Sequence, residues 1–188
     1  NKDFPIGAGL WLRLHPEDRV KTPYTTWLFR QNTRRMPEFT APGLGRVSTH
    51  VSADVEIGEK ASGVLYAVGG ASGGLAVYLD KGVLVYEYNM MIIEQYIGRS
   101  SAPLSAGKHQ IEVDTQIGTP GGAGTATVSV DGKEVITVAL KQTVPGAFTA
   151  TETFDVSVDL GSPVSEAYAE RRPFAFDGRI HKVEVSLK

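Results

Sequence analysis

Residues two apart on a strand share a face, so Glu112-Val113-Asp114 is the first place in this chain where chemistry could be organised. A glycosidase built on a lectin-like sandwich uses such a pair, with its carboxylates roughly 5–10 Å apart on one side of a cleft. The strand form of that site reads Glu-x-Asp-x-x-Glu, a bulge returning the last Glu to the cleft. Here the run is Glu112-Val113-Asp114-Thr115-Gln116-Ile117, and Ile117 stands where the third carboxylate belongs. The acid–base partner is missing, and Glu112 and Asp114 read as the solvated face of a strand.

Metal and nucleophile chemistry fare no better. The four histidines, His15, His50, His109 and His181, lie far apart, and none has the His-x-x-x-His or Glu-x-x-His spacing of a metal site. His109 and His181 share parity with the apolar residues of their strands, whereas His50 falls on a polar face. Asp155, Asp159 and the carbonyls near Gly161-Ser162 offer oxygen ligands of the kind calcium takes, although their spacing is not that of an EF-hand and a plain acidic turn is the simpler reading. Gly70-Ala71-Ser72-Gly73-Gly74 spells Gly-x-Ser-x-Gly, but its glycines read as those of a turn rather than of a nucleophile elbow, and no Walker loop occurs. Tyr86 and Tyr88 share a strand face with Leu84, and Tyr96 follows on the next strand with Arg99 beyond it. Exposed, these rings would stack on sugars and Arg99 would meet a sulfate; buried, they are core or interface, which is the preferred reading.

The elements that must position these groups are strands. Val47, Val51, Val55 and Ile57 alternate with His50, Asp54 and Glu56; Ile111 and Val113 alternate with Gln110, Glu112 and Asp114; Val183, Val185 and Leu187 alternate with Lys182, Glu184 and Ser186. Asp131-Gly132 separates Thr125–Val130 from Lys133–Leu140, and Asp80-Lys81-Gly82 separates Leu75–Leu79 from Val83–Asn89. About ten to twelve short strands at this spacing, with no helical stripe, predict an all-β chain. Its architecture is an antiparallel β-sandwich of the jelly-roll, concanavalin A-like (laminin G-like) kind. Residues 1–45 hold five of the ten prolines and both tryptophans, with little periodicity. They are expected to form a connector that wraps a sandwich of residues 46–188 and adds an edge strand or two. Trp11 and Trp27 are the candidates there for contact with a neighbouring domain.

Nineteen basic and twenty-one acidic residues leave a formal charge of −2 without a basic stripe, which argues against nucleic acid and membrane partners. The absence of cysteine removes disulfides, zinc thiolates and thiol nucleophiles together. A start at Asn1-Lys2-Asp3-Phe4-Pro5 reads as a piece of a longer protein.

Several segments resemble the C-terminal region of bacterial arylsulfatases of the alkaline-phosphatase-like sulfatase family. They are Phe4-Pro5-Ile6-Gly7-Ala8-Gly9-Leu10, Leu14-His15-Pro16-Glu17-Asp18 and Met36-Pro37-Glu38-Phe39 in the lead-in, then Gly63-Val64-Leu65-Tyr66-Ala67-Val68-Gly69-Gly70 with Ser72-Gly73-Gly74-Leu75. Val85-Tyr86-Glu87-Tyr88-Asn89, Phe154-Asp155-Val156 and Gly161-Ser162-Pro163-Val164-Ser165 complete the set, which runs from about residue 4 to 187.

The resemblance implies a non-catalytic accessory domain whose parent hydrolyses sulfate esters through a formylglycine in Cys/Ser-x-Pro-x-Arg, with calcium in that catalytic domain. The nearest run here is Ser101-Ala102-Pro103-Leu104-Ser105, with Ser105 in place of the arginine, so no catalytic residue carries over and no cofactor is expected in this chain. The implied partners are the catalytic sulfatase domain and a sulfated glycan. The alternative function is a carbohydrate-binding module presenting such glycans to the parent, for which a periplasmic or secreted location fits.

Overall fold

The computed structural model describes residues 24–188. Twelve strands run in chain order: β1 (Thr26–Phe29), β2 (Met36–Pro37), β3 (Thr49–Ile57), β4 (Gly63–Gly70), β5 (Gly73–Asp80), β6 (Val83–Met90), β7 (Glu94–Arg99), β8 (Gly107–Ile117), β9 (Gly124–Val130), β10 (Lys133–Leu140), β11 (Thr153–Val156) and β12 (Arg179–Leu187). They form two six-stranded antiparallel sheets. Sheet I has the order β1-β12-β3-β8-β9-β10, and sheet II has the order β2-β11-β4-β5-β6-β7. This is the expected antiparallel sandwich. The short strands β1 and β2, both from the proline-rich lead-in, are outer strands of the two sheets, the edge strands expected of that segment.

The two expected glycine turns fall where the sequence puts them. Lys81-Gly82 joins β5 to β6 and Asp131-Gly132 joins β9 to β10, each with both residues at positive φ, as a type I′ hairpin requires. A different use of glycine closes one side of the sandwich. A Cβ on Gly98 of β7 would meet the Ile136 side chain of β10 at 2.2 Å, so only a bare backbone lets the two edges approach.

The main core lies between the sheets. Val51, Ala53 and Val55, Ile111 and Val113, and Val183 and Val185 of sheet I pack against Tyr66, Val68, Val77, Leu84, Tyr86 and Tyr88 of sheet II. Sheet I keeps the period of two along β3, β8 and β12. In sheet II, β4 is buried along its whole length, and β5 and β6 nearly so, because both faces are covered. The second cover is the chain's own segment 157–178, which lays Val164, Tyr168 and Phe174 over Val64, Ala67, Ala76, Tyr78 and Val85.

Alternation fails at one histidine. A bulge in β12 between Ile180 and Lys182 turns His181 outward beside Glu56, at 3.5 Å, instead of inward with Val183.

Candidate functional site

The outward side of sheet I gathers polar groups from its neighbouring strands β12, β3 and β8. Register places Glu184, Ser52 and Glu112 in one row and Ser186, His50 and Asp114 in the next. His50 stands between the two carboxylates of β8. Its Nδ1 lies 3.1 Å from Asp114 Oδ2 and its Nε2 lies 3.6 Å from Glu112 Oε1, so a proton on Nδ1 is donated to Asp114.

The lysines of this face are paired as well. Lys182 reaches Glu184 at 2.5 Å and Asp54 at 3.6 Å, and Glu184 is the foremost cause of an upward shift of its ammonium. Lys188 pairs with Asp114. The Gln110 amide donates to Asp54 at 3.5 Å. Side chains at the centre are part-exposed, 32% for His50, 28% for Glu112 and 38% for Asp114, so they are held in place yet open to a ligand. Beside them is a shallow cleft of about 570 Å³, lined in part by Trp27 and Leu28 of β1 with His50, Ser52, Gln110 and Glu112. Leu28 is exposed and paired across from Glu184, which puts an apolar surface next to the polar rows.

The residues singled out from the sequence are placed elsewhere. Tyr86 and Tyr88 are 0% exposed and Tyr96 is 8% exposed, all within the core between the sheets, so they form no glycan platform. Their parity with Leu84 is the reason, since that side of β6 faces inward. The Tyr88 hydroxyl donates to the Gly45 carbonyl and accepts from the Val144 N–H, each at 2.7 Å. The Tyr66 hydroxyl is buried without a hydrogen-bond partner among the described residues.

Arg99 is exposed and lies opposite Val85, whose side chain belongs to the outer cluster of sheet II, so it sits on the face away from those tyrosines. Trp27 is half-buried at the β1 edge, packed against the main core as well as the cleft. Trp11 lies outside the described residues.

Asp155 and Asp159, the candidates for calcium, are both engaged in hydrogen bonds within the chain. Asp155 accepts the Arg35 N–H at 2.6 Å and the Thr153 hydroxyl at 2.7 Å. Asp159 accepts the Val164 N–H at 2.8 Å and the Tyr168 hydroxyl at 2.6 Å. Asp155 thus directs both oxygens, and Asp159 its Oδ2, at N–H and O–H donors, and no group of three or more His, Cys, Asp or Glu that could hold a metal occurs among the described residues. Burial pushes the Asp159 carboxyl up to about 6 against the pull of those two donors. It belongs to the polar seam under segment 157–178, where the Tyr78 hydroxyl also donates to the buried Glu87 at 3.0 Å. Arg171 closes the rim of that seam with two bonds to Asp80, at 2.8 and 3.0 Å, and lies 4.3 Å from the centre of the Phe174 ring.

Sequence reasoning placed His50, Glu112 and Asp114 on polar strand faces without joining them. Their meeting depends on the pairing of β3 with β8, to which the sequence alone gives no direct signal. Lys182, Glu184 and Lys188 were missed for the same reason.

No family model matches the chain, and no curated protein matches it significantly. Solved structures do. The carbohydrate-binding domain CBM40 of the Ruminococcus gnavus IT-sialidase, solved with α2,3 sialyllactose, superposes with a TM-score of 0.56 at 13% identity over 87% of this chain and 89% of that one. Domains LG4-5 of the mouse laminin α1 chain give 0.52 at 17% identity, over 90% of this chain and 44% of that one. The Caenorhabditis elegans galectin LEC-6 gives 0.51 at 12% identity, over 89% of this chain and 99% of that one. The likeness is one of fold: a jelly-roll sandwich shared by all of them.

Proposed function

We propose that this chain is a carbohydrate-binding module and that its binding surface is the outward side of sheet I. The observation that carries the reading is the contrast in cover. The outer face of sheet II is sealed by segment 157–178, whereas sheet I leaves rows of part-exposed hydrogen-bonding groups beside an apolar rim. Sugars are bound by that combination, hydroxyls meeting fixed polar groups and the ring's C–H face meeting an apolar side chain. The R. gnavus CBM40 domain, solved with sialyllactose, shares the fold and lends the reading further support.

Turnover is the weaker alternative. Glu112 and Asp114 sit beside His50 and Lys188, and Ile117 stands where the third carboxylate of the glycosidase pattern belongs.

Screening the full chain against immobilised glycans tests the proposal. Nuclear magnetic resonance with a bound glycan is then expected to perturb His50, Ser52, Gln110 and Glu112. Perturbation confined to the segment 157–178 would move the site to the other sheet and overturn the assignment.

The sulfatase parent is a separate proposal, supported by the segment resemblance alone. It predicts a Cys/Ser-x-Pro-x-Arg motif and a calcium-binding catalytic domain encoded ahead of Asn1. Reading that coding sequence decides it.

A further inference from the structure

We infer that the open face of sheet I selects neutral glycans and disfavours sialylated and sulfated ones. The inference rests on the binding-module reading and concerns its ligand class. Around the cleft stand four carboxylates, Asp54, Glu112, Asp114 and Glu184, against Lys182, Lys188 and His50. Each of these three basic groups is already engaged. Lys182 holds Glu184 and Asp54, Lys188 holds Asp114, and His50 sits between Asp114 and Glu112.

Lys108, a further cation of this face, stands beyond Gln110 toward the other end of β8. A carboxylate or sulfate seated among the paired groups must therefore break one of their pairs, and it arrives among carboxylates of its own sign. A sugar hydroxyl meets no such barrier. It donates to a carboxylate oxygen, and a bond to a charged acceptor is the stronger kind. Spare acceptor positions exist, because each carboxylate has about four lone-pair sites and receives few donors here. Ser52 and Gln110 add neutral groups to the same face, and exposed Leu28 offers its side chain to a pyranose ring. Arg99, the cation that follows Tyr96 in the sequence, is on the other sheet.

The test uses the full chain and one glycan core prepared in neutral, sialylated and sulfated forms, with affinities followed by titration as salt is raised. The neutral form is expected to bind about tenfold tighter than either anionic form, with affinity nearly constant in salt. Glu112→Gln and Asp114→Asn are each expected to weaken the neutral ligand about tenfold, and to strengthen any residual binding of the anionic forms. Tighter binding of the sialylated or sulfated form, or affinity that falls steeply with salt, overturns the inference and leaves the module reading standing. Failure of every glycan to bind removes both. The salt series needs no variant, so the outcome does not depend on whether the substituted chains fold.

Discussion

The outer surfaces of sheets I and II differ in what covers them. On sheet II the strands are apolar on both sides, and segment 157–178 supplies Tyr168, Phe174 and Val164 to bury the outward half. Polar groups trapped there, Asp159, Glu87 and Tyr78 among them, are tied to fixed partners. On sheet I the outward residues of β12, β3 and β8 include Ser, Gln, His, Asp, Glu and Lys, several joined in pairs that water still reaches. A sealed face has exchanged its water for internal contacts and serves stability. An open face keeps hydrated groups whose partners a ligand can replace.

The contrast can be broken most forcefully from the sealed side. Phe174→Ala or Tyr168→Ala removes a large ring from the second core and is expected to cost about 3–5 kcal/mol, read from denaturant midpoints. Binding by the fraction still folded should be unchanged. A cost below about 1 kcal/mol would mean that the seal contributes little.

Acidity separates the faces next. The Asp159 carboxyl titrates near 6 in the fold against an ordinary value of 3.8, so the folded state holds a proton that the unfolded state has released. Stability should therefore fall as pH rises from about 4 to 6 and level off above, by about 2–3 kcal/mol from this group. Glu38, raised by burial, acts in the same direction. Asp159→Asn keeps an oxygen for Val164 and Tyr168, so its melting temperature should vary less across that range. An unchanged pH profile in that variant would remove Asp159 as the cause.

The rim gives a smaller effect. Arg171→Ala loses the paired bonds to Asp80 and the stacking on Phe174, worth about 1 kcal/mol at a half-exposed site. Smallest of all, Glu112→Gln should move stability by no more than about 0.5 kcal/mol while changing glycan affinity. A large loss of stability there would show that the open face also holds the fold together.

Sheet I was legible because one of its faces is wet. Val51, Val55, Ile111, Val113, Val183 and Val185 mark its inner side by period alone, and the β9–β10 turn announces itself as Asp131-Gly132. Sheet II was less so, since strands buried on both sides carry no alternation, and Tyr168 and Phe174 lie in a segment with no period at all. The β6–β7 hairpin turns through Met91 and Ile92 at positive φ, a conformation that neither side chain signals. Tyr86 and Tyr88 show the limit for the site. Parity with Leu84 groups them on one face, but only the packing of the sheets decides that this face is the interior. Register is the other missing piece, and it is what brings His50 between Glu112 and Asp114.

The position of β12 bears on how the protein is made. This strand, residues 179–187, lies between β1 and β3, so among the described residues the outer strand β1 pairs with β12 alone. During synthesis, the pairing of β12 with β1 and β3 must wait until residue 187 has left the ribosome. Nascent chains shorter than that should be more open to protease at β1 than the finished chain, and the pairing of residues 154 to 160 apart should make completion of sheet I a slow step of folding.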